Sequence, residues 1–231
     1  MSKKSLSASM NRSETALGFA WWLFQLILLP SMMRAINGTV SRPLTDAELN
    51  FTYFLINFIA IVCIFHRFLG SSASYTLSHP VLFLESVVLG AVAYALCAYL
   101  MNQFLAMLAP GFSNQNDASI AALGRSSFYL TAVGTIILVP PAEECFYRGL
   151  IFRTVYKHSH AAAYVVSICV FSMIHIAGFI GLYTPLELVL SFLQYVPAGL
   201  CLAWSFQRSG TIFAPILIHA MVNAYGVCNL R

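Results

Sequence analysis

Residues 128–152 read FYLTAVGTIILVPPAEECFYRGLIF, an apolar run interrupted by Pro140 and Pro141 and then by Glu143, Glu144 and Arg148. The apolar side chains on either side of the interruption point to the fold, and the three charges inside it pose the functional question. About 20 residues of such character form a helix that spans a bilayer. Moving outward, about seven runs of this kind fill the chain: residues 16–33, 51–65, 81–108, 128–139, 161–183, 186–206 and 211–228. They are apolar on all sides, whereas a membrane barrel alternates apolar and polar residues over segments of about ten. The expected fold class is all-α, a polytopic transmembrane helical bundle with about seven to eight membrane helices. No composition shift, repeat or low-complexity tail divides residues 1–231, so a single integral membrane domain is expected.

Composition supports this. Of 231 residues, 59% are hydrophobic and only 9% are charged, against about 25% charged in soluble domains. Too few charges exist to coat a globule in water, which excludes a soluble enzyme or a disordered regulator. The net charge of +4 does not make a nucleic-acid binder, because the Lys and Arg are scattered singly. The six cysteines, Cys63, Cys97, Cys145, Cys169, Cys201 and Cys228, lie in or beside apolar runs. They read as small hydrophobes at helix contacts. The first run follows Lys3, Lys4 and Arg12 but lacks a small-x-small cleavage site, so it reads as an uncleaved signal anchor.

Basic residues favour the cytoplasmic ends of spans. With the N-terminus inside, Lys3, Lys4, Arg12, Arg67, Arg153, Lys157 and Arg208 lie inside and Arg34, Arg42, Arg125 and Arg231 outside. The expected arrangement is N-in and C-out, with residues 111–127 as the longest outer loop. Small size and short loops suit a multi-pass protein of a prokaryotic plasma membrane.

Among the acidic residues, Glu14, Asp46, Glu48 and Asp117 fall in tails and loops, and Glu85 and Glu187 near span ends. Glu143, Glu144 and Arg148 do not. At about 2.5–3.5 kcal/mol per charge near a helix centre, three would cost on the order of 8–10 kcal/mol. Charges in such positions face a bundle interior or a wet cavity and mark a site. Pro140-Pro141 suggests a fresh helix start, which would put both glutamates in a first turn, where the dipole favours negative charge. Glu144 and Arg148, four apart, share a helix face and can pair. His175 lies inside the fifth apolar run, and His219 and Asn223 share a face of the seventh. At a rise of about 1.5 Å per residue, these groups reach roughly 14–23 Å into the membrane and can meet. His66, His79, His158 and His160 sit at loops and ends.

The motifs resemble those of a known family. Glu143-Glu144-Cys-Phe-Tyr-Arg148-Gly149 resembles EExxxR(G), Phe171-Ser-Met-Ile-His175 resembles FxxxH, and His219-Ala-Met-Val-Asn223 resembles HxxxN. These are the motifs of the CPBP family, the CAAX-protease and bacteriocin-processing (Abi) intramembrane endopeptidases. All three occur in order within a core of about residues 128–228, and residues 210–215 resemble the usual lead-in to the third. The first hundred residues resemble the family only as generic membrane helices.

The resemblance implies a membrane protease acting on a protein or peptide substrate presented at the bilayer. Glu143 would be the base that activates water, with His175 helping to hold that water. His219 and Asn223 would polarise the carbonyl and stabilise the oxyanion; Glu144 and Arg148 would orient and tune them. Donors aimed at a developing oxyanion contribute ~3–4 kcal/mol each. No cofactor is expected. A zinc site from Glu143, His175 and His219 is the alternative, though HExxH and local metal-ligand spacing are absent. Prenylated CAAX termini, bacteriocin leaders and C-terminal sorting segments all remain open as substrates. A non-catalytic role in bacteriocin self-immunity competes with the protease reading. A transporter lacks the paired broken helices it needs, and a Cys145 nucleophile suffers from its apolar surroundings.

Overall fold

The computed structural model describes residues 9–229, and their regular structure is helical. Lys3, Lys4 and Arg231 of the topology argument lie outside the described residues. The elements are α1 (Arg12–Ile27), α2 (Leu29–Asn37), α3 (Asp46–Ile64), α4 (His66–Ser78), α5 (Pro80–Leu108) and α6 (Gln115–Ser126). They continue as α7 (Phe128–Val133), α8 (Val139–Glu144), α9 (Arg153–Tyr156), α10 (His160–Ala177), α11 (Pro185–Ser209) and α12 (Phe213–Cys228).

Every apolar run of the sequence contains helix, so the membrane bundle stands, but the run 161–183 is shorter as a helix because α10 ends at Ala177 and residues 178–183 turn. The count is more conservative. Helices α3, α5, α10 and α11 are long and apolar enough to cross a bilayer, and α1 with α2, bent by 47°, makes a fifth candidate. The other two runs miss on length. Helix α12 has 16 residues, and the run that begins at Phe128 is subdivided by two wide turns.

Those wide turns replace the expected helix start at Pro140-Pro141. Residues 128–156 form one continuous helical path in which Gly134–Leu138 and Cys145–Phe152 are π-helical. Proline removes an N–H and clashes with the carbonyl one turn back in an α-helix. In the wider spiral the Val139 N–H bonds to the Gly134 carbonyl, five residues back. Pro140 follows and has no N–H to offer Thr135, so the chain absorbs the prolines without ending. Glu143 and Glu144 therefore sit mid-helix, and the dipole argument for their placement falls away.

Around this path α11 makes its broadest contacts with α10 and α5, and α12 packs on α5 and α11. Lipid supplies little hydrophobic drive between helices, so close van der Waals fit holds the bundle. Gly199 shows how close. A Cβ there would lie 2.9 Å from the Ile168 Cα of α10, so only glycine permits that approach. Phe152 centres the inner aromatic cluster, stacked on Tyr156 and edge-on to Tyr164 and Phe206 at centroid distances of 5.2, 5.2 and 6.1 Å. Helix α5 turns Leu84, Val88, Val92 and Leu96 outward, the surface that lipid would wet.

Three polar residues take structural work that their sequence positions concealed. Glu14 is buried: one oxygen accepts the Asn11 N–H at the start of α1, and the other accepts the Phe68 N–H in the first turn of α4, at 2.9 and 2.8 Å. It joins two helix starts rather than lying in a tail. Asn57 of α3 accepts from the Trp21 indole of α1 at 3.0 Å, and Tyr53 donates to the Gln25 side chain. The span-end glutamates behave as expected, Glu187 capping α11 with Thr184 and Glu85 pairing with Arg208.

Candidate active site

Glu144 and Arg148 are completely buried, four residues apart on the same helical path. The Arg148 Nη1 donates to Glu144 Oε1 at 2.8 Å, the pair expected from their spacing. Arg148 reaches further. Its Nη2 donates to the Ala198 carbonyl of α11 at 3.2 Å, and its guanidinium lies 4.5 Å from the centre of the Phe171 ring of α10. One cation thus ties the EExxxR segment to the two helices beside it, which suits the planar fork of arginine.

His219 of α12 bonds through Nδ1 to the same oxygen, Glu144 Oε1, at 2.8 Å. A carboxylate accepts, so Nδ1 carries the proton, and Nε2 is the nitrogen left for other work. Glu144 Oε2 is buried and has no hydrogen-bond partner among the described residues.

Glu143 leaves the helix on another face. Its Oε2 lies 3.9 Å from His175 Nε2 and is buried with no hydrogen-bond partner among the described residues. That separation exceeds a direct hydrogen bond and matches one bridged by water. The two side chains keep partial access to solvent, 25% and 15%. His175 is fixed from behind, because its Nδ1 lies 2.7 Å from the Phe171 carbonyl. Nδ1 must be the donor there, so Nε2 of the neutral ring is an acceptor facing Glu143.

Asn223 completes the group from α12. Its amide donates to the Thr135 carbonyl at 2.7 Å, the acceptor that Pro140 leaves open in the π-helical register. One N–H of the side-chain amide is used in this way, and the second has no acceptor among the described residues. These residues meet as Glu143 facing His175, Glu144 bonded to Arg148 and His219, and Asn223 of α12 bonded to the Thr135 carbonyl of the path that carries both glutamates.

Among the described residues, no three His, Cys, Asp or Glu side chains gather as a metal-binding set. Glu143 and His175 approach one another, while His219 turns its Nδ1 to Glu144. Cys145 is fully buried.

The sequence left the surroundings of His175 unread. Residues 111–127, expected as a loop, fold back so that the buried Asn114 donates to Gln194 at 2.9 Å and accepts from the Tyr195 hydroxyl at 3.3 Å. Tyr195 stacks on His175 at 4.3 Å. Burial pushes the Asp117 carboxyl up from its ordinary range. A further cleft, about 350 Å³, lies between α2, α3 and α6 with Arg34, Asp46, Tyr53 and Leu123 on its walls. Only Asn114 carried a sequence signal, as a helix-capping residue type before a polar run.

Residues 125–225 match the sequence model of a family described as type II CAAX prenyl endopeptidase Rce1-like. The matched stretch, less than half of the chain, is similar to an Rce1-like domain. It contains every residue of the three motifs, and the resemblance read from them stands. That description is of a protease family, and residues 125–225 are similar to it. No curated protein and no solved structure matches the chain.

Proposed function

We propose that the protein is a glutamate-dependent intramembrane endopeptidase that cleaves near the C-terminus of a prenylated CAAX-type substrate. The observation that carries this reading is the facing pair Glu143 Oε2 and His175 Nε2, 3.9 Å apart at the partly accessible edge of a buried charge cluster. A water between them donates one hydrogen bond to each, which directs its lone pair outward to a scissile carbonyl.

Glu143 takes a proton as the water oxygen bonds to the carbonyl carbon, and the carbonyl π pair moves to oxygen. The free N–H of Asn223 and a proton on His219 Nε2 receive that oxyanion. For His219 to donate through Nε2 while Nδ1 stays on Glu144, the ring must be doubly protonated. Glu144 supplies the compensating charge, and Arg148 keeps that carboxylate oriented. Glu143 then returns its proton to the amide nitrogen as the C–N bond breaks, giving a carboxylic acid and an amine. This division follows the general rule that donors held before reaction stabilise charge as it develops.

The chemistry is proposed to run without a metal, since His219 turns its Nδ1 to Glu144 and leaves Glu143 and His175 as a facing pair. The substrate choice rests on the family description. The N-terminus is proposed to be cytoplasmic and the membrane a prokaryotic plasma membrane.

The test uses purified protein in detergent and a fluorogenic farnesylated peptide ending in Cys-Val-Ile-Met. Wild type should cleave it, and Glu143→Gln and His175→Ala should each lose at least about 100-fold. Full cleavage by both variants would overturn the reading. Addition of o-phenanthroline should leave the wild-type rate unchanged; loss of activity that zinc restores would replace this mechanism with a metal-dependent one.

A further inference from the structure

We infer that Tyr195 is a positioning residue for His175, and that the Asn114 turn outside the motifs holds Tyr195 in place. This rests on the proposed role of His175 above.

The imidazole needs its ring plane fixed if Nε2 is to share a water with Glu143. Three contacts fix it. Nδ1 is held by the Phe171 carbonyl at 2.7 Å, the Phe171 ring lies 4.5 Å away at 43°, and the Tyr195 ring stacks at 4.3 Å and 30°. The first two come from α10, the helix that carries His175. They move with it and set only its local rotamer. Tyr195 comes from α11, so it is the contact that places the imidazole relative to another helix.

Tyr195 is itself tethered. Its hydroxyl donates to Asn114 Oδ1 at 3.3 Å, and the neighbouring Gln194 accepts from Asn114 Nδ2 at 2.9 Å. The same Asn114 oxygen accepts the Asn116 and Asp117 N–H groups at 2.9 and 3.3 Å, capping α6. Asn114 is 6% exposed, so the turn is part of the interior. A chain of contacts therefore runs from the start of α6 through Asn114 and Tyr195 to His175. None of these residues except His175 belongs to the three motifs.

Positioning and mere packing predict different kinetics. A misplaced catalytic group slows the chemical step, and displacements of about 1 Å can cost 100-fold. Tyr195→Leu should lower kcat by about 10- to 100-fold and leave KM within about twofold. Tyr195→Phe keeps the ring and loses the tether, and about a three- to fivefold loss in kcat is expected by the same reasoning. The assay is cleavage of the farnesylated peptide, with thermal unfolding of each variant measured in the same detergent.

A wild-type kcat in Tyr195→Leu overturns the inference, as does a raised KM with kcat unchanged. If Tyr195→Leu fails to fold, Tyr195→Phe and Asn114→Ala decide. Reduced kcat at unchanged unfolding temperature supports positioning, and wild-type kcat in both overturns it. His175→Ala separates this from the broader reading. An inactive His175→Ala beside a fully active Tyr195→Leu removes only the positioning role. An active His175→Ala, or a wild type that does not cleave, removes both.

Discussion

At Arg148 a fully buried cation meets the Glu144 carboxylate, the Ala198 and Gly199 carbonyls and the rings of Phe171 and Tyr147, on three helices. Removing it takes away the Glu144 cation partner and leaves that buried carboxylate held by His219. Breaking a buried pair from one side costs about 3–5 kcal/mol, while replacing both partners by apolar groups is often neutral. Arg148→Leu should therefore unfold at markedly lower temperature in detergent, and Glu144→Leu/Arg148→Leu should recover much of that loss while remaining inactive. Equal instability of the single and double variants would show that the pair is not the cause. At this scale the sequence was highly legible. Charges that a bilayer penalises announce themselves, and the spacing of four between Glu144 and Arg148 gave their pairing. Tyr195 gave no such sign, because an aromatic residue in an apolar span is chemically unremarkable until its neighbour is known.

Among the elements, the path through residues 128–156 departs most from expectation. Two prolines ordinarily break a helix, and sequence alone contains no mark of a π-helical alternative. The structure gives the break a use, since the Thr135 carbonyl left open beside Pro140 receives the Asn223 amide. Pro140→Ala would restore an N–H able to compete for that carbonyl. The variant should fold as well as wild type or better, yet lose about tenfold in kcat as Asn223 loses its anchor. Cleavage assays beside thermal unfolding check this, and an unchanged kcat would separate the proline from the site. Glu14 teaches a related lesson. Its place near the chain start suggested a tail, but its second oxygen serves α4, a partner 54 residues away. Contacts of that range have no local sequence period.

Over the whole molecule, hydropathy was enough to give the fold class, because lipid leaves the backbone few choices besides helix. It overstated how many runs are independently long enough to cross. With the bent α1–α2 pair as one crossing, then α3, α5, residues 128–156, α10, α11 and α12, the expected path puts the two termini on opposite faces. A reporter fused at the C-terminus, read by a membrane-impermeant label, should lie opposite an N-terminal one. Termini on the same face would make α1–α2 a re-entrant pair. The wide turn at Gly134–Leu138 has one more consequence. A π turn holds about one residue more than the α turn it replaces, so it lengthens the sequence with little gain in height. Deleting one residue there would close it to an ordinary turn, with nearly the same reach across the bilayer and nearly the same facing beyond it. A residue deleted from 139–142, with the wide turn kept, would also preserve the hydropathy profile, yet it would rotate everything downstream by about 100°, swinging Glu143 and Glu144 off His175 and His219. Crossing the membrane and aligning the chemistry are thus written in separate alphabets, one of hydropathy and one of angular phase, and only outside the wide turn does a single lost residue spare the first while erasing the second.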